Sequence, residues 1–206
     1  MSEKFIKKSS HEHKYTNKNF FHRFFLNRFL DAIYYEIDTL APNKILDFGC
    51  GEGFFIKAMQ DRGLSEKKIL GVDNRKNAIE RATTFMPEYD FRSLDIFQIK
   101  PDKFQFDLVI AIEVLEHLYQ PERFLKHLNA LSSKYVLFTV PFEPWFRIIN
   151  LLRGRDVLRL GNHPEHINHW SPKSFRKFLE PFIEIKKLYV QFPWIVSVGM
   201  ATPIFS

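Results

Sequence analysis

Two groups of carboxylates and imidazoles could do chemistry in this chain. In "EVLEHL", Glu113, Glu116 and His117 are spaced i, i+3 and i+4, so on a helix they share one face. In "GNHPEHINHW", His163, Glu165, His166 and His169 fall within seven residues. Two carboxylates and an imidazole on one face, completed by a distant histidine, could hold Mg²⁺, Mn²⁺ or Zn²⁺ with positions open for a substrate oxygen. Such an ion would polarise a hydroxyl and lower its pKa. His117 or His166 acting as a general base would serve the same end without metal. A structural alternative places the acids at a helix N-terminus and packs His117.

A third stretch, "KILDFGCGEGFF" at residues 44–55, sets Gly49, Gly51 and Gly53 straight after an apolar run ending in Asp47. Glycine permits positive φ and lets a ligand approach the backbone closely. The spacing is G-x-G-x-G, with Phe54 where a dinucleotide fingerprint would have its third glycine. That departure suits a smaller ligand whose amino-acid end lies over the loop. Asp73, in "ILGVDN", ends a second apolar run and could accept from both hydroxyls of a ribose. Asp95, in "RSLDIF", ends a third and could accept from an adenine amino group. A single aspartate in a loop is commonly a turn former. Three acidic run ends after a glycine loop are harder to assign to chance.

These groups need a scaffold, and the apolar pattern supplies one. From Phe20, apolar residues at Phe21, Phe25, Phe29 and Ile33, with Phe24, Leu26 and Leu30 beside them, predict an N-terminal helix. Strand-like runs at 44–48, 67–73, 89–95, 106–112 and 134–140 alternate with helix-like runs at 54–63, 74–86 and 121–131. That rhythm means βαβ units and a parallel sheet with right-handed crossovers. "FDLVIAI" is nearly continuous in apolar residues, as a strand covered on both faces requires. Pro121 suits the first turn of its helix. After Pro141 the rhythm breaks, then a helix-like run at 171–180 precedes two closing strands joined through residues 191–193, an antiparallel pair.

At 206 residues the chain suits one domain with a substantial core. It divides into an arm and helix (1–40), a ligand-binding core (44–140), an insertion (142–170) and a C-terminal helix with a strand pair (171–206). The single cysteine, Cys50, excludes an internal disulfide and suits a reducing compartment. "MSEKFIKKSS" lacks the apolar stretch of a secretory signal, and no run approaches the roughly 20 apolar residues of a bilayer span. The expectation is a cytoplasmic protein. Its net charge of +6 suits an anionic partner or simply solubility.

The motifs "ILDFGCGEG", "GVDNRKNAIERA", "SLDIFQI" and "FDLVIAIEVLEHL", in that order, resemble those of class I S-adenosylmethionine-dependent methyltransferases over residues 44–140. The resemblance implies an α/β, Rossmann-like doubly wound sheet of seven strands, mostly parallel with an antiparallel last strand, plus the N-terminal helix and a helical lid. It implies that Asp47, Gly49 and Gly51 hold the methionine portion of S-adenosyl-L-methionine, Asp73 the ribose, and Asp95 with Ile96 the adenine, with Cys50 and Asn74 also in the cofactor site. Ile112 and Glu113 would flank the sulfonium. The carboxylate-imidazole set is similar to that of metal-dependent enzymes methylating the terminal 2′-hydroxyl of small RNAs. With Trp170 as anchor, His166 matches their later histidine, making Glu113, Glu116, His117 and His166 the metal set.

"PFEPWFRIINLLRGRDVLRLGN" combines helical apolar spacing with Arg147, Arg153, Arg155 and Arg159, a pattern of helices lying on anionic membranes. A similarly placed insertion occurs in the ubiquinone-pathway O-methyltransferases, which "EVLEHL" also resembles. The alternative is a helix packed on the core with its arginines in solvent. The favoured expectation is O-methylation of a small or lipophilic hydroxyl acceptor, with location peripheral to an inner membrane face. Methylation of an RNA 3′ end is the rival, weakened by the lack of an exposed aromatic stacking arrangement. A non-catalytic S-adenosylmethionine-binding protein is the third reading. Nothing in the chain calls for an obligate protein partner.

Overall fold

The computed structural model describes residues 20–64, 68–99, 106–130, 134–152, 154 and 157–202. The expected arm at 1–19, Arg153 and Arg155 lie outside the described residues. Strands β1 (Lys44–Phe48), β2 (Lys68–Asp73), β3 (Asp90–Ser93), β4 (Leu108–Ile112), β5 (Tyr135–Pro141), β6 (Ile183–Gln191) and β7 (Trp194–Ala201) form one sheet ordered β3-β2-β1-β4-β5-β7-β6. The first five pair in parallel, and β7 runs antiparallel to both of its neighbours, β5 and β6. This is the doubly wound sheet expected from the sequence.

Among the described residues there are six α-helices: α1 (Phe20–Leu40), α2 (Phe54–Gln60), α3 (Lys76–Phe85), α4 (Pro121–Ala130), α5 (Trp145–Leu152) and α6 (Pro172–Leu179). Successive strand residues point to opposite faces. Ile45, Leu108, Ile110 and Leu137 therefore meet Phe29 and Ile33 of α1 and Ile56 and Met59 of α2. Leu46, Val109, Ala111, Val136 and Phe138 meet Phe124 and Leu125 of α4 and Phe175 and Leu179 of α6. Because both faces are covered, the central strands carry no polar alternation. Phe29, Ile33, Phe124, Phe138 and Phe175 are fully buried, each worth about 1.5–3 kcal/mol of transfer free energy. Helix α6 starts with a reciprocal cap: Ser171 Oγ accepts from the Ser174 N–H at 3.2 Å, and Ser174 Oγ accepts from the Ser171 N–H at 2.9 Å.

Two local expectations need correction. The buried stripe of α1 is Leu26, Phe29, Leu30, Ile33 and Ile37, while Phe24 faces solvent. "EVLEHL" is not a helix but one 3₁₀ turn, Leu115–His117. Glu113 sits in the left-handed region at φ 55°, and its N–H donates to the Thr139 carbonyl at 3.1 Å, prolonging the β4–β5 ladder. The carbonyls that would continue a helix are taken by a distant segment, since Glu116 O accepts from the Ile167 and Asn168 N–H groups at 2.9 and 3.1 Å. Of the two readings of α5, the one that packs its apolar face on the core is set aside. Its buried residue is Asn150, whose Nδ2 donates to Gly161 O at 3.1 Å, while Trp145, Ile148, Leu151 and Leu152 are exposed.

Candidate active site

Strand β1 lies at the switch point of the sheet, pairing in parallel with β2 on one side and β4 on the other. The loops leaving these strands diverge there and open a crevice at their carboxyl ends. A solvent-open cavity occupies that place, lined by Asp47, Gly49 and Gly51 and by His117, Phe146 and His166.

At the glycine end, the Gly49 and Cys50 N–H groups donate to Val72 O at 2.8 and 3.1 Å, tying the loop to β2. Gly49 is required twice over: its φ is +76°, and a Cβ there would meet Val114 Cγ2 at 2.6 Å. Asp47 is almost fully buried at the loop's base, and its Oδ2 has no hydrogen-bond partner among the described residues. Burial, with the Asp73 charge added, pushes its carboxyl up to about 8. Burial likewise raises the Cys50 thiol, so it lines the cavity as an inert group. A buried acceptor that will not ionise alone fits a ligand carrying its own cation, such as the ammonium of an amino acid.

Asp73 ends β2 behind the loop. Its Oδ2 accepts from the Gly51 N–H at 3.0 Å and from Arg75 Nη2 at 3.0 Å, while Oδ1 accepts from the Arg75 N–H at 2.9 Å and Arg75 Nε at 3.0 Å. Burial alone would raise the Asp73 pKa, but these donors and the Arg75 charge hold it below the usual carboxylate range. The same hydrogen bonds raise Arg75 further. Asn74 is exposed beside it. Asp95 is exposed at the end of β3, where its Oδ1 accepts from the Phe97 N–H at 3.0 Å and caps the 3₁₀ turn Ile96–Gln98. Among the described residues, Asp73, Asn74 and Asp95 do not line the cavity.

At the other end, Glu116, His117 and His166 offer ligand atoms all within 4.8 Å of one another. The Asn168 side chain donates to Leu115 O at 3.1 Å and Leu118 O at 2.7 Å, stitching the His-rich segment onto the 3₁₀ turn. His117 Nδ1 lies 2.9 Å from Glu165 O. A carbonyl can only accept, so Nδ1 carries the proton and Nε2 keeps a lone pair. Burial lowers His117, and burial with three neighbouring histidines takes His166 down to about 3, so both rings are neutral at pH 7. Glu116 is fully buried. A buried carboxylate and two neutral imidazoles match the donor set of a divalent transition metal.

Glu113 departs from the expected metal set. It lines the cavity with Ile112, but its Oε1 accepts from Trp194 Nε1 at 2.6 Å, and its positive φ removes it from the Glu116–His117 face. Three further residues escaped the sequence reading. Arg75 holds Asp73; Trp194 packs on Phe29, centroids 4.4 Å apart and rings tilted by 33°, while gripping Glu113; and Phe146 lies 5.2 Å from His166, centroid to centroid. Arg75 follows Asp73 by two residues and could have been suspected, whereas Trp194 depends on where β7 inserts.

Comparison with known proteins agrees with this architecture. Residues 12–182 match the family model described as methyltransferase domain. The ubiquinone biosynthesis O-methyltransferase of Pseudomonas aeruginosa is 28% identical over 150 residues, 69% of this chain and 60% of that protein. The chain thus spans about 60% of the length of that curated relative. Among solved structures, magnesium protoporphyrin IX methyltransferase from Synechocystis with bound SAH superposes with a TM-score of 0.66 at 17% identity, covering 89% of this chain and 88% of that one. The methyltransferase domain of a bacterial Hen1 gives a TM-score of 0.61 at 21% identity, covering 85% and 99%. The fold is that of a Rossmann-like methyltransferase. The chain belongs to the methyltransferase domain family. Among the described residues no helix is long and apolar enough to cross a membrane.

Proposed function

We propose that this chain methylates a hydroxyl oxygen on a small lipophilic acceptor, with S-adenosylmethionine as donor. The observation that carries the reading is one cavity with Asp47 and the glycine loop at one end and Glu116, His117 and His166 at the other. The relative's printed name, a ubiquinone biosynthesis O-methyltransferase, supports oxygen on a lipophilic acceptor.

When bound, the cofactor supplies a methyl group already activated for displacement by its sulfonium. The chain's own work is alignment and proton management. Asp47 would take the cofactor's ammonium, and Gly49 and Gly51 would let the amino-acid end rest on the backbone. Asp73 and Asn74 would hold the ribose, Asp95 and Ile96 the adenine, and Ile112 and Glu113 would flank the sulfonium end. Trp194 fixes Glu113 through its indole N–H. His117 Nε2 accepts the hydroxyl proton, its ring oriented by the Nδ1–H bond to Glu165 O. With its pKa near 3, His166 is a poor base and serves as a neutral donor.

The close donor set favours a metal-assisted version, in which Glu116, His117 and His166 would hold Mg²⁺, Mn²⁺ or Zn²⁺. The ion would lower the acceptor hydroxyl's pKa. In that version the Nδ1–H···O=C bond of His117 is the outer-shell contact that orients a ligating imidazole.

The outward face of α5 supports a lipophilic acceptor met at a membrane. Trp145, Ile148 and Leu152 fall at i, i+3 and i+7 and are exposed, beside Arg147 and Arg159. Trp145 also meets Phe192 at 6.2 Å, which in turn meets Phe25 of α1 at 5.7 Å, joining both helices in one aromatic wall. Cofactor labelled on its methyl, incubated with lipid extract, small metabolites and RNA fractions, tests the reading. Label in the organic extract is expected; label in RNA would favour terminal 2′-hydroxyl methylation, and no transfer a binding protein.

A further inference from the structure

A carboxylate offers about four lone-pair sites. All four on Asp73 are filled within the chain, by the Gly51 N–H, the Arg75 N–H, and Nε and Nη2 of the Arg75 guanidinium. Two of these donors are backbone groups fixed by the glycine loop and the start of α3. The other two belong to a side chain that is 47% exposed and could swing into solvent. Ribose hydroxyls can donate to Asp73 only if the guanidinium lets go. Nη2 also lies 3.4 Å from where a Gly51 Cβ would be, so the guanidinium rests against the very loop the cofactor must cover.

We propose that the Arg75 guanidinium and the cofactor's ribose hydroxyls compete for the Asp73 carboxylate, so that Arg75 sets cofactor affinity and, once displaced, is caught by Glu165 of the acceptor segment. The inference rests on the cofactor reading above. Glu52 and Glu165 line the same cavity as Gly51, against which the guanidinium rests, and both act on Arg75 electrostatically. Glu52 is engaged with Arg81 at 3.0 Å. Glu165 lines the cavity and orients His117 through its carbonyl. Capture there would tie the acceptor wall down after the cofactor enters, which makes cofactor first and acceptor second the preferred order.

Calorimetric titration with S-adenosylhomocysteine tests this on the native protein, Arg75→Ala, Arg75→Lys, Glu165→Gln and the Arg75→Ala/Glu165→Gln pair, each checked for an unshifted melting transition. Arg75→Ala should bind about 3- to 10-fold more tightly than native, since the ligand no longer displaces a partly exposed forked ion pair. Arg75→Lys, which folds with its charge intact but lacks the fork, should fall between. The gain should appear with adenosine and vanish with 2′,3′-dideoxyadenosine, both followed by NMR titration. Glu165→Gln should weaken binding about 2- to 3-fold in the native background and not with Ala at 75, as coupled residues do. Equal or weaker binding by both Arg75 variants, while native protein binds, would overturn the competition and make Arg75 a fixed brace for Asp73. An equal Glu165→Gln effect in both backgrounds would overturn the capture. No binding by any protein, native included, would overturn the cofactor reading and the competition with it.

Discussion

The two ends of the cavity are made differently. At the donor end, Asp47, Gly49, Gly51 and Asp73 sit on, or within three residues of, the tips of two adjacent parallel strands, β1 and β2. At the acceptor end, Glu116 and His117 lie on a 3₁₀ turn, His166 on a loop some fifty residues later, and Trp194 at the start of the last strand. The first end is held by backbone bonds within the βαβ unit. The second is held by long-range stitches, such as Asn168 onto Leu115 and Leu118 and Trp194 onto Glu113. A common donor is served by local geometry, while the part that selects an acceptor is assembled from segments free to change separately.

The contrast breaks most sharply at Asp47. Asp47→Asn should lose about 100-fold or more in S-adenosylhomocysteine affinity by calorimetry, because the buried counter-charge for the ligand's ammonium is gone. The same change should stabilise the ligand-free protein. The Asp47 carboxyl sits at about 8 in the fold against an ordinary 3.8. It therefore favours folding fully below pH ~4, and that contribution is lost as pH rises toward 8. Asn cannot ionise, so the melting temperature of the variant should exceed that of native protein by a margin growing to about 2–6 °C at pH 8.

Substitution at the acceptor end should separate the two functions. His166→Ala should lower methyl transfer about 10²- to 10⁴-fold in the labelled-acceptor assay while changing cofactor affinity less than about 3-fold. Exhaustive chelation should lower transfer in the same assay, with Mn²⁺ restoring it; full activity after chelation would leave His117 acting as base without metal. A comparable loss of cofactor affinity in His166→Ala would erase the distinction between the two ends.

Much of the donor end was legible because its signals are local. A glycine loop after a strand, and acids at successive strand tips, are set by the βαβ repeat, and the expected strands 44–48 and 67–73 stand nearly unaltered as Lys44–Phe48 and Lys68–Asp73. The acceptor end was read only in part. The spacing of Glu113, Glu116 and His117 suggested one helical face, but it could not reveal that residues 167 and 168 take the carbonyl of Glu116 and end the helix after one turn. Nor could it show Glu113 turned to Trp194, a partner 81 residues away. For α5 the periodicity was sound but left open whether the apolar face turned outward or onto the core, which tertiary packing decided by putting Asn150 inside and the apolar face outside.

Smaller effects sharpen the acceptor side further. Trp194→Phe keeps the ring on Phe29 but deletes the donor to Glu113; it should cost about 1–2 kcal/mol in denaturant unfolding and about 3- to 10-fold in turnover. Ile148→Glu with Leu152→Glu, both on the exposed face of α5, should leave the melting temperature within about 2 °C and abolish co-sedimentation with anionic liposomes. Equal pelleting of this variant would remove the membrane from the acceptor's route.

The most direct measurement is S-adenosylhomocysteine calorimetry at pH 7 in two buffers of different ionisation enthalpy. Because Asp47 stands at about 8 and must ionise to meet an ammonium, binding should release up to about one proton per ligand, and Asp47→Asn should abolish that release. Binding with no buffer dependence, or no binding by the native protein, would contradict the assignment of the donor site.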